Sequence, residues 1–175
     1  MKILYLCFNL SVGGGVQKHN KAFVEDLIVI GHRVKVIELE RSSFVGKLIF
    51  IFKVLLLVIL FGPELIITGH INFSPICFLV KKIFGIKYFV TVHGIDVWDI
   101  KERSKILALQ SADKIISVSN YTKMRMDQEI EGLKGKFAII PNTVDTEKFK
   151  IMERSQGFIK KFNLENKKII LTVCR

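Results

Sequence analysis

Apolar positions along the chain fall into short runs of strand length, separated by longer stretches of helical period. Residues 2–8 form the first run, and residues 16–30 place Val16, Phe23, Leu27 and Ile30 on one helical face. Gly31 then stands where helices commonly end in a left-handed residue. Residues 33–39 alternate as a second strand, Gly62-Pro63 introduces a third at 64–68, and further strands are expected at 87–92, 114–118 and 137–140. Ser119 and Asp145 suit the N-caps of the segments that follow them. Strands divided by helical stretches predict βαβ units, hence an α/β fold built on a doubly wound parallel sheet.

The run LIFIFKVLLLVILFG, residues 48–62, breaks the amphipathic rule because it is apolar on all sides apart from Lys53. As a helix its 15 residues reach about 22 Å, short of a hydrocarbon core near 30 Å. The leading expectation is a helix covered by the sheet. A helix lying at a membrane interface is the alternative, and a full span fits least.

Composition sharpens this. The chain has 175 residues, half of them hydrophobic, and 27 basic against 16 acidic side chains give a formal charge of +11. That balance favours anionic partners. Between Arg41 and Val90 six basic residues meet one acid, Glu64, in an apolar background, which suits an anionic membrane surface better than nucleic acid. Cys7, Cys77 and Cys174 have neither disulfide nor zinc spacing, so a reducing, cytoplasmic setting is expected. Met1 to Leu10 runs into glycines rather than a small-residue cleavage site, unlike a signal peptide.

In an open parallel sheet, ligands bind beyond the carboxyl ends of the strands, where strand order reverses. With the order 3-2-1-4-5-6, that crevice lies between the first and fourth strands. The first strand leads into NLSVGGGVQKH and the fourth into HGIDVW, so Gly13 to Gly15 and His93 are expected to face each other across it. Glycines ahead of a helix let a phosphate or sugar approach the helix N-terminus, although they also serve simply to make a tight turn. His93 reads as a reactive group at a strand end, the alternative being a histidine satisfied by backbone. Asp96 orients the imidazole or, more simply, caps the next helix. His19 is within reach of the crevice. His70 follows the third strand, away from the expected reversal point, and Trp98 reads as packing or lipid-facing. A dinucleotide fingerprint fails because Lys18 occupies its third glycine position, although Glu38 sits near where a ribose-binding acid belongs. A P-loop, a nucleophile elbow and a metal-ligand spacing are not found.

Taken in order, GGGVQKHNKAFVEDLIVIGHRVKVI, HGIDVW, ADKIISVSNYTKMRM, IIPNTVDTEKF and KKIILTVCR resemble the family-4 glycosyltransferases of the two-domain GT-B fold. The resemblance implies a Rossmann-like N-terminal domain, chiefly acceptor-binding, over residues 1–150, then a linker at 151–168. Residues 169–175 would open a nucleotide-sugar-binding domain that is otherwise missing. It implies retaining transfer from a nucleotide-sugar to a lipid-linked or saccharide acceptor, with no metal or other cofactor. Gly14 and Gly15 would lie near the donor phosphates, His93 would be catalytic beside the transferred sugar, and Asn142 and Asp145 would form the turn towards the second domain. Gln17 replaces a common Glu, Thr143 a common Gly, and Cys174 the glycine that opens the second domain. On this reading the chain is an acceptor-side half, inactive alone, whose second domain is truncated or supplied by a separate chain. Two other readings remain: a non-catalytic saccharide-binding module, and a nucleotide- or nucleic-acid-binding domain.

Overall fold

The computed structural model describes residues 1–11, 13–40, 42–153 and 155–172. Six parallel strands form one sheet: β1 (Lys2–Phe8), β2 (Arg33–Leu39), β3 (Leu65–Thr68), β4 (Lys87–Val92), β5 (Lys114–Ser117) and β6 (Phe137–Ile139). Helices connect them: α1 (Gly15–Val29), α2 (Phe44–Phe61), α3 (Ser74–Phe84), α4 (Arg103–Ser111) and α5 (Asn120–Glu129). This is a Rossmann-like α/β fold, as expected. Gly31 has φ +90° just past α1, and Ser119 Oγ accepts the Thr122 N–H at 3.1 Å to cap α5.

Strand order corrects the sequence reading. The sheet runs β2-β1-β3-β4-β5-β6, not 3-2-1-4-5-6. The third strand is central because all four of its residues, Leu-Ile-Ile-Thr, are buried, as befits a parallel strand covered on both faces. β2 takes the edge instead, where Arg33 and Lys35 reach solvent. The reversal of order therefore falls between β1 and β3. Tyr5 pairs with Ile67 and Ile67 with Phe89, so β4 is one strand removed from β1.

Alternate residues of each strand feed two cores. Leu4 and Leu6 join Ile66, Tyr88, Val90 and Ile115 beneath α2, α3, α4 and α5. Ile3, Tyr5 and Cys7 face the other way with Leu65 and Ile67, where α1 contributes Val24 and partly buried Phe23 and Leu27. Cys7 and Cys77 are buried and free; Cys174 lies outside the described residues. Trp98 packs against the first core, with Tyr121 at 5.9 Å between centroids and the Arg125 guanidinium 4.9 Å above its ring.

α2 departs from the expected covered helix. Phe50, Val54, Val58 and Phe61 are buried on the sheet, and the rest of its apolar surface is largely exposed. By length and composition it reaches the threshold for a membrane span. A span is excluded by connectivity, since its ends run directly into β2 and β3 of one sheet.

The compact unit closes at Asn142, and a second begins at Thr143. The expected boundary at 150 falls inside the second unit: Ile140 packs on the sheet's second core, and residues 141–153 are exposed. The second unit holds a short helix, α6 (Gln156–Lys161), inside the expected linker, with the Phe158 and Phe162 rings tilted to each other at 4.5 Å between centroids. Of the expected strand at 169–175, residues 169–172 are in no strand and 173–175 lie outside the described residues.

Candidate functional site

His70 and His93 stand just past the carboxyl ends of β3 and β4, and α1 brings His19 against His93. Gly69 follows β3 directly, and its oxygen lies 3.0 Å from His93 Nε2 and accepts from Asn20 Nδ2 at 3.2 Å. A carbonyl only accepts, so His93 Nε2 carries the hydrogen there and Nδ1 is left as the acceptor of the neutral ring. Asn20 is fully buried on α1, and its Oδ1 accepts from the equally buried Tyr5 hydroxyl at 3.0 Å. The chain Tyr5–Asn20–Gly69–His93 thus ties β1, α1, β3 and β4 to each other.

His19 lies one turn into α1, its ring 5.2 Å from that of His93 in an edge-to-face arrangement. His19 itself is about 6 Å along the axis from the first residue of α1, by the rise over four residues. The expected meeting of His93 with the glycine turn rests on a strand order that the sheet does not have; the His93 ring instead contacts Gly69 and, on α1, His19. Gly14 is the N-cap of α1, with extended backbone and no side-chain cap. A Cβ on Gly15 would meet nothing within 4 Å, and one on Gly14 would meet only the flexible Gln17 side chain. Neither packing nor backbone conformation demands these glycines; what they preserve is open space above the helix N-terminus.

Asp96 does neither of the things expected of it. Its Oδ1 accepts the His93 backbone N–H at 3.0 Å, so it shapes the turn after β4 rather than orienting the imidazole or capping a helix. Gly94, at φ +125°, makes that turn in a region closed to most side chains. Asp96 Oδ2 and His19 Nε2 are buried without hydrogen-bond partners among the described residues.

His70, set aside in the sequence, is at the reversal point. Its ring meets Phe8 at 5.1 Å, and its Nδ1 accepts the Asn72 N–H at 3.2 Å. Burial lowers its pKa, Asp96 opposes that shift, and His93 and Lys105 reinforce it. Burial also lowers the pKa of His19, with His93 adding to the effect. The signals missed were the unbroken apolar character of LIIT, which marks a central strand, and the Gly-His that ends it.

Both shifts have a consequence for stability. Unfolded histidine binds its proton near 6.5, whereas the folded protein resists protonating His19 and His70, so the unfolded state holds more protons as pH falls. Their contribution is complete above that value and is lost as pH drops through the lowered folded values. Thermal melts between about pH 8 and about pH 5 are expected to show falling stability, and His19→Gln to flatten the profile. A flat wild-type profile would contradict this.

Glu38 Oε2 accepts the Leu10 N–H at 2.8 Å, closing the loop after β1. Asn142 is exposed at the end of the first unit. In the second unit Asp145 Oδ1 accepts from the Glu147 and Lys148 N–H groups, each at 3.0 Å, capping a turn rather than a helix. Among the described residues no group of three His, Cys, Asp or Glu is arranged to hold a metal.

Residues 39–148 match the family model described as Glycosyltransferase Family 4. Among solved structures the chain is similar to Anabaena HepE in complex with UDP, at 18% identity and TM-score 0.58 over 94% of this chain and 50% of that one. The same enzyme with UDP and glucose gives 19% and 0.58, again over 94% and 50%. With UDP-glucose it gives 18% and 0.59, over 94% and 49%. The likeness shows a shared fold, and the chain spans about half the length of those structures. No curated protein matches significantly.

Proposed function

The chain belongs to glycosyltransferase family 4, and on that premise we propose that it is the acceptor-side half of a retaining enzyme moving a sugar from a nucleotide-sugar to a lipid-linked or saccharide acceptor. The observation that supports this reading is the contact of His93, fixed as the Nε2–H tautomer by Gly69, with His19 one turn into α1, a helix whose N-terminus is open at Gly15.

When a nucleoside diphosphate leaves, charge grows on its phosphate oxygens. The first amides of α1 point their positive end into the space kept by Gly14 and Gly15, which suits those oxygens. Such preorganised donors act where charge develops. His93 contributes Nδ1 as an acceptor for a hydroxyl of the sugar, which passes through an oxocarbenium-like state. A second nucleotide-binding half supplies the main anion clamp, and Asn142 and Asp145 belong to the turn that leads towards it. Nucleic acid has no place in this reading, and the setting is cytoplasmic.

UDP-glucose is a direct probe. Calorimetry of this chain is expected to show weak binding, of about millimolar Kd, abolished by Gly15→Val, whose Cβ enters the open space with no atom within 4 Å. Sugar transfer by the chain alone is expected to be negligible. Rapid turnover by it, or undiminished binding by the valine variant, would overturn the reading.

A further inference from the structure

α2 carries a surface that the crossover does not use. Phe44, Leu48, Phe52, Leu56, Ile59 and Leu60 all face away from the sheet, with Phe44 77%, Phe52 65% and Leu60 72% exposed. They form one stripe along the 18-residue helix, about 27 Å long. An unbroken apolar face of this extent on a single helix marks a contact with a partner.

Charge decides which partner. α2 contains no acid, and its two charges are Lys47 and Lys53. At its carboxyl end Lys2, Arg33 and Lys35 stand 5.8, 5.7 and 4.8 Å from the Phe61 ring centroid. The acids nearby are fewer: Glu38 and Glu40 share a cleft with Lys53, Glu38 being already bonded to Leu10, and Glu64 at the carboxyl end accepts the Lys2 backbone N–H. A second copy seated on this face would bring like charges together. An anionic bilayer offers both the apolar medium and the counter-charge.

The other end of α2 opens into a pocket of about 510 Å³ at the carboxyl ends of β1 and β2. Phe8, Leu39, Phe50 and Phe73 give it apolar walls, and Lys47 and Lys105 line it as cations. Lys105 shares its charge with exposed Glu102 at 3.0 Å. Phe8 also touches His70, so the pocket adjoins the His93 site.

We propose that α2 docks this chain flat on an anionic bilayer, its bare face among the acyl chains, and that the Lys47–Lys105 pocket receives the phosphoryl head of a lipid from that bilayer. Docking stands on the helix alone; the pocket lipid's role as acceptor rests on the transferase reading above.

Sedimentation with vesicles tests it, using phosphatidylcholine alone or with about 30 mol % phosphatidylglycerol. The chain is expected to bind the anionic vesicles roughly tenfold or more tightly than the neutral ones. Phe52→Glu with Leu56→Glu, both at exposed positions, should reduce that binding at least about tenfold with unchanged thermal melts. Lys47→Gln with Lys105→Gln should lower the preference for anionic over neutral vesicles several-fold. Equal vesicle binding by the glutamate variant would overturn docking. So would self-association without vesicles that the same glutamates abolish, which would make a second copy the occupant. An unchanged anionic preference in the glutamine variant would remove the pocket from the account. Vesicle binding without UDP-glucose binding would leave docking intact and defeat the transferase reading alone.

Discussion

Gly69→Ala is expected to lower the melting temperature by about 10 °C, from a loss of about 3 kcal/mol. The added Cβ would lie 2.5 to 2.7 Å from three atoms of the Asn20 side chain. Asn20 cannot swing aside cheaply, because it is fully buried and bonded to both Tyr5 and Gly69. Moving it strands the Tyr5 hydroxyl, and an unmet buried polar group costs about 1–3 kcal/mol. Overpacking adds a similar amount. Asn20→Ser in the same chain should recover part of the loss by making room, so a double-mutant cycle should show strong coupling. Additive effects would mean that the close approach is relieved elsewhere.

His93→Ala should have the opposite profile: little effect on folding and a large one on chemistry. The ring is only part-buried, and its bond to Gly69 contributes about 1 kcal/mol to stability. In an enzyme carrying both halves, loss of a preorganised group beside the reacting sugar is expected to reduce kcat by roughly 100-fold. KM for the nucleotide-sugar should change less, because the helix N-terminus and the second half hold the phosphates. A purely structural histidine would instead lower the melting temperature and leave kcat near wild type.

The sequence disclosed elements more readily than their neighbours. The six strands of the sheet and the ends of α1 lay within a residue or two of expectation, because apolar period and the glycine at 31 are local signals. Strand order is not local. Placing β3 at the edge meant overlooking that four consecutive buried-type residues need cover on both faces. The error displaced His70 from the crevice and left Gly69 and Asn20 unnoticed, since a backbone carbonyl and a buried amide announce nothing in sequence. His93 lies at the carboxyl end of a central strand as expected, but one strand removed from β1, and its ring is bonded to the Gly69 backbone carbonyl. Asp96 illustrates a different limit: a carboxylate three residues past a histidine can bond ring or backbone, and only coordinates distinguish them. For α2, composition showed an excess of apolar surface without showing which half the sheet would take.

Long-range ¹H–¹⁵N spectra of the histidine rings, recorded while UDP-glucose is added, test the central claim most directly. The account predicts His93 as the Nε2–H tautomer, its Nδ1 resonance moving together with the Gly14 and Gly15 amides as the ligand binds. An Nδ1–H tautomer at His93, or ligand-induced shifts that leave both the ring and the glycine amides in place, would contradict it.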